Sequence, residues 1–288
     1  MICFKALNET ILIRVFNMKG LSKGVKIFLA ILAVIVAVIL FVFVIPLVTE
    51  SPPAVLMVHS GKVELAQSPF RDVTGTTQIS VGNSVKTYPG SEASIVFFGS
   101  SILRLGENTT LTLSELDIRK EGKRVSLKQD TGRVWNKVIK LSGIEEYSLE
   151  TPDAVATIRG TAFDSWVRDN LTGILVAENR VNVTEKTSAK LTEVNENEQA
   201  DVSAGTLFVH PFVEDSWIKE NKEKDEQFLL ELREKIKSKY WIYLLIAKSQ
   251  YKLTDEQVNR YIDNALRGTY SQDQVDSALN QLGFEIKV

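Results

Sequence analysis

The chain has 288 residues, 44% of them hydrophobic, which permits a sizeable core and one or two domains. Its 34 basic and 36 acidic residues give a formal net charge of −2, a balance that argues against a nucleic-acid partner. A single cysteine, Cys3, excludes a disulfide within the chain, so its folded part must be held by its core alone.

Ile27 to Val48 is an uncharged apolar run. As a helix it would extend about 33 Å at about 1.5 Å per residue, enough for a hydrocarbon core of about 30 Å. Arg14, Lys19, Lys23 and Lys26 precede it. Glu50 follows, and no lysine or arginine comes before Lys62. That asymmetry predicts a cytoplasmic leader (1–26), a transmembrane helix (27–48) in the lipid bilayer, and an extracytoplasmic remainder. Pro46 to Glu50 offers no Ala-x-Ala cleavage site, so the span is read as an uncleaved signal anchor. Met18 opens a compact basic leader and is a second candidate start. Five of the 34 basic and one of the 36 acidic residues lie before Thr49, which leaves 29 against 35 in the exported part.

Residues 49–54 contain Ser51-Pro52-Pro53 and read as a short stiff linker. From 55 to 210 the apolar period changes to two. Val63 and Leu65, Ile79 and Val81, Leu103 and Leu105, Leu111 and Leu113, Val125 and Leu127, and Val181 and Val183 each flank a polar residue. Ile95 to Phe98 is continuously apolar and predicts a central strand. Turn residues recur between these runs, at Gly82-Asn83, Pro89-Gly90, Gly99-Ser100, Gly106 to Asn108, Glu121-Gly122, Ser142-Gly143 and Glu196-Asn197. This pattern predicts a mainly β fold, a jelly-roll-like β-sandwich, preceded by one transmembrane helix and followed by a small all-α region. Asp130 to Trp135 reads as a glycine turn opening a strand. In Glu150 to Phe163, Pro152 presets a turn, Gly160 permits a bulge, and Ala154, Ala156 and Ala162 permit close packing. Arg159, flanked by small and apolar residues, is expected to pair with a carboxylate such as Glu150 or Asp164.

Gly61-Lys-Val63, the run from Ser94 to Leu113, Gly132-Arg-Val-Trp135, and Glu150-Thr-Pro152 through Arg159-Gly-Thr-Ala-Phe163 together resemble a FecR-type domain. Gly173 to Val176 followed by Val181-Asn-Val183 is similar to the strand pair that closes that domain. The resemblance covers about residues 58–205. It implies an all-β extracytoplasmic module, which in the best-known members relays a signal through one membrane helix to a cytoplasmic sigma factor. It also marks Gly132, Arg133, Trp135, Thr151, Pro152, Arg159, Gly160, Thr161 and Phe163 as fold-defining positions, core and hinge residues rather than ligand contacts. The sequence departs from those members in its short leader and in a helical region after Gly205.

Residues 215–288 are read as helical. Phe228, Leu232, Ile236, Tyr240, Leu244, Ala247 and Tyr251 form one stripe at three- and four-residue spacing. Lys235, Lys237 and Lys239 beside Tyr240 to Tyr243 raise a membrane-interface reading. The preferred reading is a core helix with a solvated basic flank. Thr254 to Gln257 and Ser271 to Gln274 are matching capping boxes, each opening a short helix that Gly268 or Gly283 ends.

Chemistry is sparse. His59 and His210 lie at opposite ends of the β region, outside any metal-ligand spacing. Nucleophile-elbow, phosphate-loop and dinucleotide motifs are absent. Glu145-Glu146, Asp130 and Asp164 are the carboxylates that a glycoside-cleaving pair would draw on. Asn195 to Asp201 is oxygen-rich but lacks a calcium-loop glycine, and reads as a solvated turn. The expected function is a non-enzymatic, membrane-anchored binding or scaffold module for an envelope protein or polymer, without cofactor or metal. A sigma-factor-type regulator and a carbohydrate-active envelope enzyme are the alternatives.

Overall fold

The computed structural model describes residues 52–66, 70–119, 122–158 and 160–268, which belong to a unit running from Pro52 to Val288. The expected leader, the span Ile27–Val48, Arg159 and the second capping box lie outside the described residues. Among the described residues no helix is long and apolar enough to cross a membrane.

The described residues are mainly β, with three α-helices after the last strand. Its first eight strands are β1 (Ala54–Ser60), β2 (Val63–Ala66), β3 (Phe70–Val73), β4 (Thr76–Gln78), β5 (Ser84–Thr87), β6 (Glu92–Phe97), β7 (Ser101–Leu105) and β8 (Thr110–Arg119). The long β9 (Gly122–Lys137) follows. Then come β10 (Ile144–Glu150), β11 (Ala154–Ile158), β12 (Ala162–Arg168), β13 (Leu171–Glu178), β14 (Arg180–Glu185), β15 (Leu191–Asn195), β16 (Glu198–Ser203) and β17 (Thr206–Pro211).

Pairing sorts these strands into two layers that share one core. One layer runs β4-β1-β6-β7-β9-β12-β13-β16-β17. The other runs β3-β2-β5-β8-β9-β10-β11-β14-β15. We call them the upper and lower sheets. Every pair is antiparallel except β9 with β10. Strand β9 belongs to both sheets, its first half in the lower and its last residues in the upper. Strands β1 to β8 lie on one side of it and β10 to β17 on the other.

The crossing of β9 has a local cause. Thr131 pairs with Thr110, but Gln129 pairs with Leu111, so Asp130 is an extra residue on β9. One inserted residue reverses which face each later side chain occupies. Before the bulge Val125 and Leu127 enter the shared core. After it Val134 does so, and Trp135 turns to the opposite face of the upper sheet. Asp130 to Trp135 is therefore not a turn that opens a strand but a bend inside one.

The alternation at Leu103, Leu105, Leu111, Leu113, Val181 and Val183 is that of buried strand faces. Ile79 and Val81 are an exception. Strand β4 ends at Gln78, Ile79 is buried, and Val81 is exposed beside a turn in which the Asn83 side chain accepts from the Ser80 N–H at 3.0 Å. An asparagine that closes its own turn competes with the ladder, and here it wins. Ile95 to Phe97 lies in β6, between β1 and β7, and Phe98 begins the turn after it at φ +51°; of the four only Ile95 and Phe97 are fully buried.

The helices are α1 (Ser216–Lys239), α2 (Trp241–Tyr251) and α3 (Asp255–Leu266). Asp215 caps α1 by accepting from the Ile218 N–H at 2.9 Å. The expected single stripe from Phe228 to Tyr251 is broken. Tyr240 leaves helical geometry at φ −111° and ψ 22°, and Tyr251 is exposed. Phe228, Leu229 and Leu232 of α1 meet Leu266 of α3 and Ile139 of the sandwich in one cluster. Arg233–Asp263 at 2.7 Å and Arg267–Glu226 at 2.5 Å join the same two helices at the surface.

The capping box at the start of α3 is formed as the sequence predicts, with Thr254 Oγ1 accepting from Gln257 N–H and Gln257 Oε1 accepting from Thr254 N–H. Thr254→Ala is expected to cost about 1 kcal/mol. The loss should show as faster amide exchange in the first turn of α3, with the β-sandwich unchanged.

Candidate functional site

An assembly of charged and aromatic groups lies where α1 covers the upper sheet. Cross-strand register sets the sheet side. Arg104 on β7 stands opposite Trp135 on β9, and Trp135 stands opposite Asp164 on β12. The three side chains thus form a row on the face turned away from the shared core. The bulge at Asp130 is what places Trp135 in this row. Arg133, two residues earlier on β9, is diagonal to Asp164 on the same face.

The helix side follows from spacing. Ile218, Asn221, Asp225, Phe228, Leu229 and Leu232 are the buried residues of α1, at steps of three and four that put them on one side. Asp225 falls in the middle of this otherwise apolar stripe. One of its oxygens accepts from Arg104 Nη1 at 2.5 Å and the other from Trp135 Nε1 at 2.9 Å. The Arg104 and Asp225 side chains are only 6% and 4% exposed, so the charges meet out of water. Burial raises the Asp225 carboxyl above its ordinary range, against the pull of Arg104.

A second group sits at the helix start. Arg133 donates through Nε to Asp164 at 2.8 Å and through Nη1 to Asp215 at 2.6 Å. Trp217 Nε1 donates to the other Asp164 oxygen at 3.0 Å. The guanidinium also lies over the Trp217 ring, 5.6 Å from its centre. Gly106 provides the flat spot against which that ring rests, since a Cβ there would lie 3.3 Å from it. Burial pushes the Asp164 carboxyl up to about 6, although Arg133 and Trp217 pull it down. Burial would also raise Asp215, but the Arg133 guanidinium and the Ile218 N–H together hold it below the usual carboxylate range.

The marked sequence positions other than Arg159 separate into five places. Arg133 and Trp135 belong to this helix clamp. Gly132 forms the bend at φ +90°. Thr151 closes the turn around the exposed Pro152, its hydroxyl accepting from Ala154 N–H at 3.0 Å and from the Thr172 hydroxyl at 3.1 Å. Gly160, at φ +66°, presents its carbonyl to Asn179, and Thr161 donates to the Arg180 carbonyl at 3.1 Å. Phe163 is fully buried edge-on to Tyr147 in the shared core. Of the partners expected for Arg159, Asp164 is bound to Arg133 and Trp217, and Glu150 to Lys186 at 2.6 Å.

The remaining carboxylates considered for catalysis have local partners too. Asp130 pairs with Lys128 at 3.1 Å and Glu146 with Arg124 at 3.3 Å. Asn195 ends β15 in the lower sheet and Glu198 to Asp201 opens β16 in the upper sheet, so the stretch is a short connection between the sheets, with Glu198 accepting from the Asn195 N–H. His59 bonds Ser94, and His210 bonds Asp201. Among the described residues no group of His, Cys, Asp and Glu side chains is arranged to hold a metal ion.

Residues 83–182 match the family model described as FecR protein. The chain carries a FecR-type domain. No curated protein matches it. It is similar to two crystal structures, at 1.65 and 2.50 Å resolution, of a "putative anti-sigma factor" from Parabacteroides distasonis ATCC 8503. Each is 15% identical with a TM-score of 0.39, over 44% of this chain and 59% of that one. The chain thus spans less than two thirds of the length of those structures.

The FecR match contains β7, β9 and β12, and hence Arg104, Arg133, Trp135 and Asp164. It ends before Asp215, Trp217 and Asp225. The helix half of the clamp thus lies outside the matched stretch of the FecR domain. Sequence reasoning missed Arg104 and all three helix residues. Two signals were available: an aspartate in the N-cap position, and Asp225 on an apolar stripe.

Titration of Asp164 has a definite sign. Its folded-state value, about 6, lies above the ordinary 3.8. A raised value means that its contribution is fully present below pH 3.8 and is lost as pH rises through 6. Compared with Asp164→Asn, the native protein should lose up to about 3 kcal/mol of relative stability between pH 4 and pH 7. Urea midpoints of both proteins across that range would check this, and parallel curves would contradict it.

Proposed function

We propose that the chain is a membrane-anchored FecR-domain protein whose β module lies outside the cytoplasm and binds an envelope protein or polymer without catalysis. The observation that carries this reading is the use of the motif's charged groups. Asp164, which the sequence offers as a candidate carboxylate for catalysis, is spent together with Arg133 on holding α1 to the upper sheet. A carboxylate saturated by a guanidinium and an indole N–H, at no exposure, is a structural anchor rather than an acid or base presented to substrate. Anchoring rests on the uncharged run Ile27–Val48 and the basic leader before it. The sandwich is read as jelly-roll-like. Binding would use what such a frame leaves outside, the loops and the sheet edges. Strand β17 is one such edge, with Phe208 63% exposed and stacked on His210.

The test is crosslinking of the full chain in intact cells, with the crosslinked position mapped. A partner protein or wall polymer joined to residues of the β region supports the reading. A sigma factor joined to the leader would replace it with the regulator reading. Hydrolysis of envelope glycan by the purified chain, lost in Asp164→Asn, would overturn it in favour of an enzyme. Topology is checked separately. Cys3 should resist a membrane-impermeant maleimide in intact cells, whereas a cysteine replacing Ser249 should react.

A further inference from the structure

We infer that α2 is a lipid-contacting helix that lies in the headgroup region of an anionic membrane. The sequence from Lys235 to Thr254 contains five lysines and neither aspartate nor glutamate, within an exported part that is acidic overall. Inside it α2 reads Trp-Ile-Tyr-Leu-Leu-Ile-Ala-Lys-Ser-Gln-Tyr. A helix this apolar normally buries a face against its own protein. This one buries only Ala247. Trp241, Leu245 and Ile246 are each more than half exposed, and Ile242 is half-buried among them. At 100° per residue these four side chains share one arc over the first two turns, and Ser249 and Gln250 continue that arc as its polar end.

The surroundings fit a lipid surface better than a protein. Lys237 pairs with Glu234 and Lys248 with Asp255. Lys235, Lys239 and Lys252 are exposed and have no ion pair among the described residues. Lysines without an ion pair flanking an exposed tryptophan and leucine, with Tyr240, Tyr243 and Tyr251 close by in sequence, combine the three components of interfacial attachment. Apolar side chains enter the acyl boundary, aromatic rings sit at headgroup level, and cations meet anionic lipid. The helix has 11 residues and is too short to span, so it would lie in the plane of the interface. The break at Tyr240 frees it from the axis of α1. This inference does not depend on the span Ile27–Val48 or on the proposed function.

Tryptophan fluorescence of the full chain in vesicles tests it. The chain has tryptophans only at 135, 166, 217 and 241, and none in the apolar run Ile27–Val48. Trp135 is fully buried, whereas Trp241 is 54% exposed. In vesicles of brominated phosphatidylcholine and phosphatidylglycerol, part of the emission should be quenched, and Trp241→Phe should lose most of that quenching. The double variant Leu245→Glu/Ile246→Glu should lose it too while melting normally, because both side chains are exposed. Lys235→Gln/Lys239→Gln/Lys252→Gln should make quenching equal in vesicles with and without phosphatidylglycerol. Equal fractional quenching of the native protein and Trp241→Phe would overturn the inference. So would a dimer in detergent that Trp241→Phe abolishes, since the face would then belong to a second copy.

Discussion

Asp225→Ala is expected to lower stability by about 3–5 kcal/mol, the cost of leaving a buried charge without its partner. Arg104 reaches Asp225 from a side chain that is only 6% exposed, so water cannot replace the lost carboxylate. Trp135 loses its acceptor in the same substitution. Against a total stability of about 5–15 kcal/mol, this is a large fraction. Urea unfolding would measure it, as a lower midpoint at unchanged slope. The pair Arg104→Met with Asp225→Leu should recover most of the loss, because an apolar pair of similar volume avoids the desolvation penalty. A cost below about 1 kcal/mol for Asp225→Ala would mean that apolar contacts such as Ile218 with Ala162 and Leu175 carry α1 by themselves.

Gly132→Ala should be comparably severe, by about 4 kcal/mol, for a different reason. Gly132 sits at φ +90°, and a Cβ there would lie 2.4 Å from Thr109 Cα and 2.7 Å from the Asn108 carbonyl oxygen. These are backbone atoms and cannot rotate away. The strand would have to separate from the segment before β8, where Thr109 Oγ1 also accepts from the Arg133 N–H at 3.0 Å. Gly75→Ala is the internal comparison. Its φ is +70°, but nothing lies within 4 Å of the added methyl. It should therefore cost only the backbone term, about 1–2 kcal/mol. Thermal melting of the two variants would separate steric from conformational cost, and equal losses would contradict the crowding argument.

Much of this arrangement was legible in the sequence because it depends on local period. Alternation located the buried faces of β2, β7, β8 and β14, and Thr254 announced α3 through a box that needs only four residues. Motif residues were marked as fold-defining positions, but their partners were not named. Arg133, which binds Asp164, was not named as its partner, because a charge pair between strands depends on register, and register depends on bulges. The bulge at Asp130 leaves the period of two intact on either side and shows only as a reversal of its phase between Leu127 and Val134. The clamp on the helix was harder still, since Arg104 and Asp225 lie 121 residues apart. The break at Tyr240 was hidden because the apolar spacing runs through it. Its sign was compositional, a helix too apolar for the amount of itself that it buries.

The place of β9 between the two halves of the chain bears on how the protein is made. A chain delivered N-terminus first presents β1 to β8 before β9, and these strands can pair among themselves. When β9 arrives it joins β7 and β8, completing one half of each layer. Its opposite edges then wait for β10 and β12, which emerge later. During that interval the growing chain displays two open strand edges with buried-type residues beside them, the state most exposed to wrong pairing. Rapid delivery of residues 144–168 closes both edges, so a pause in synthesis just after Lys137 would be a hazardous point in the life of the molecule.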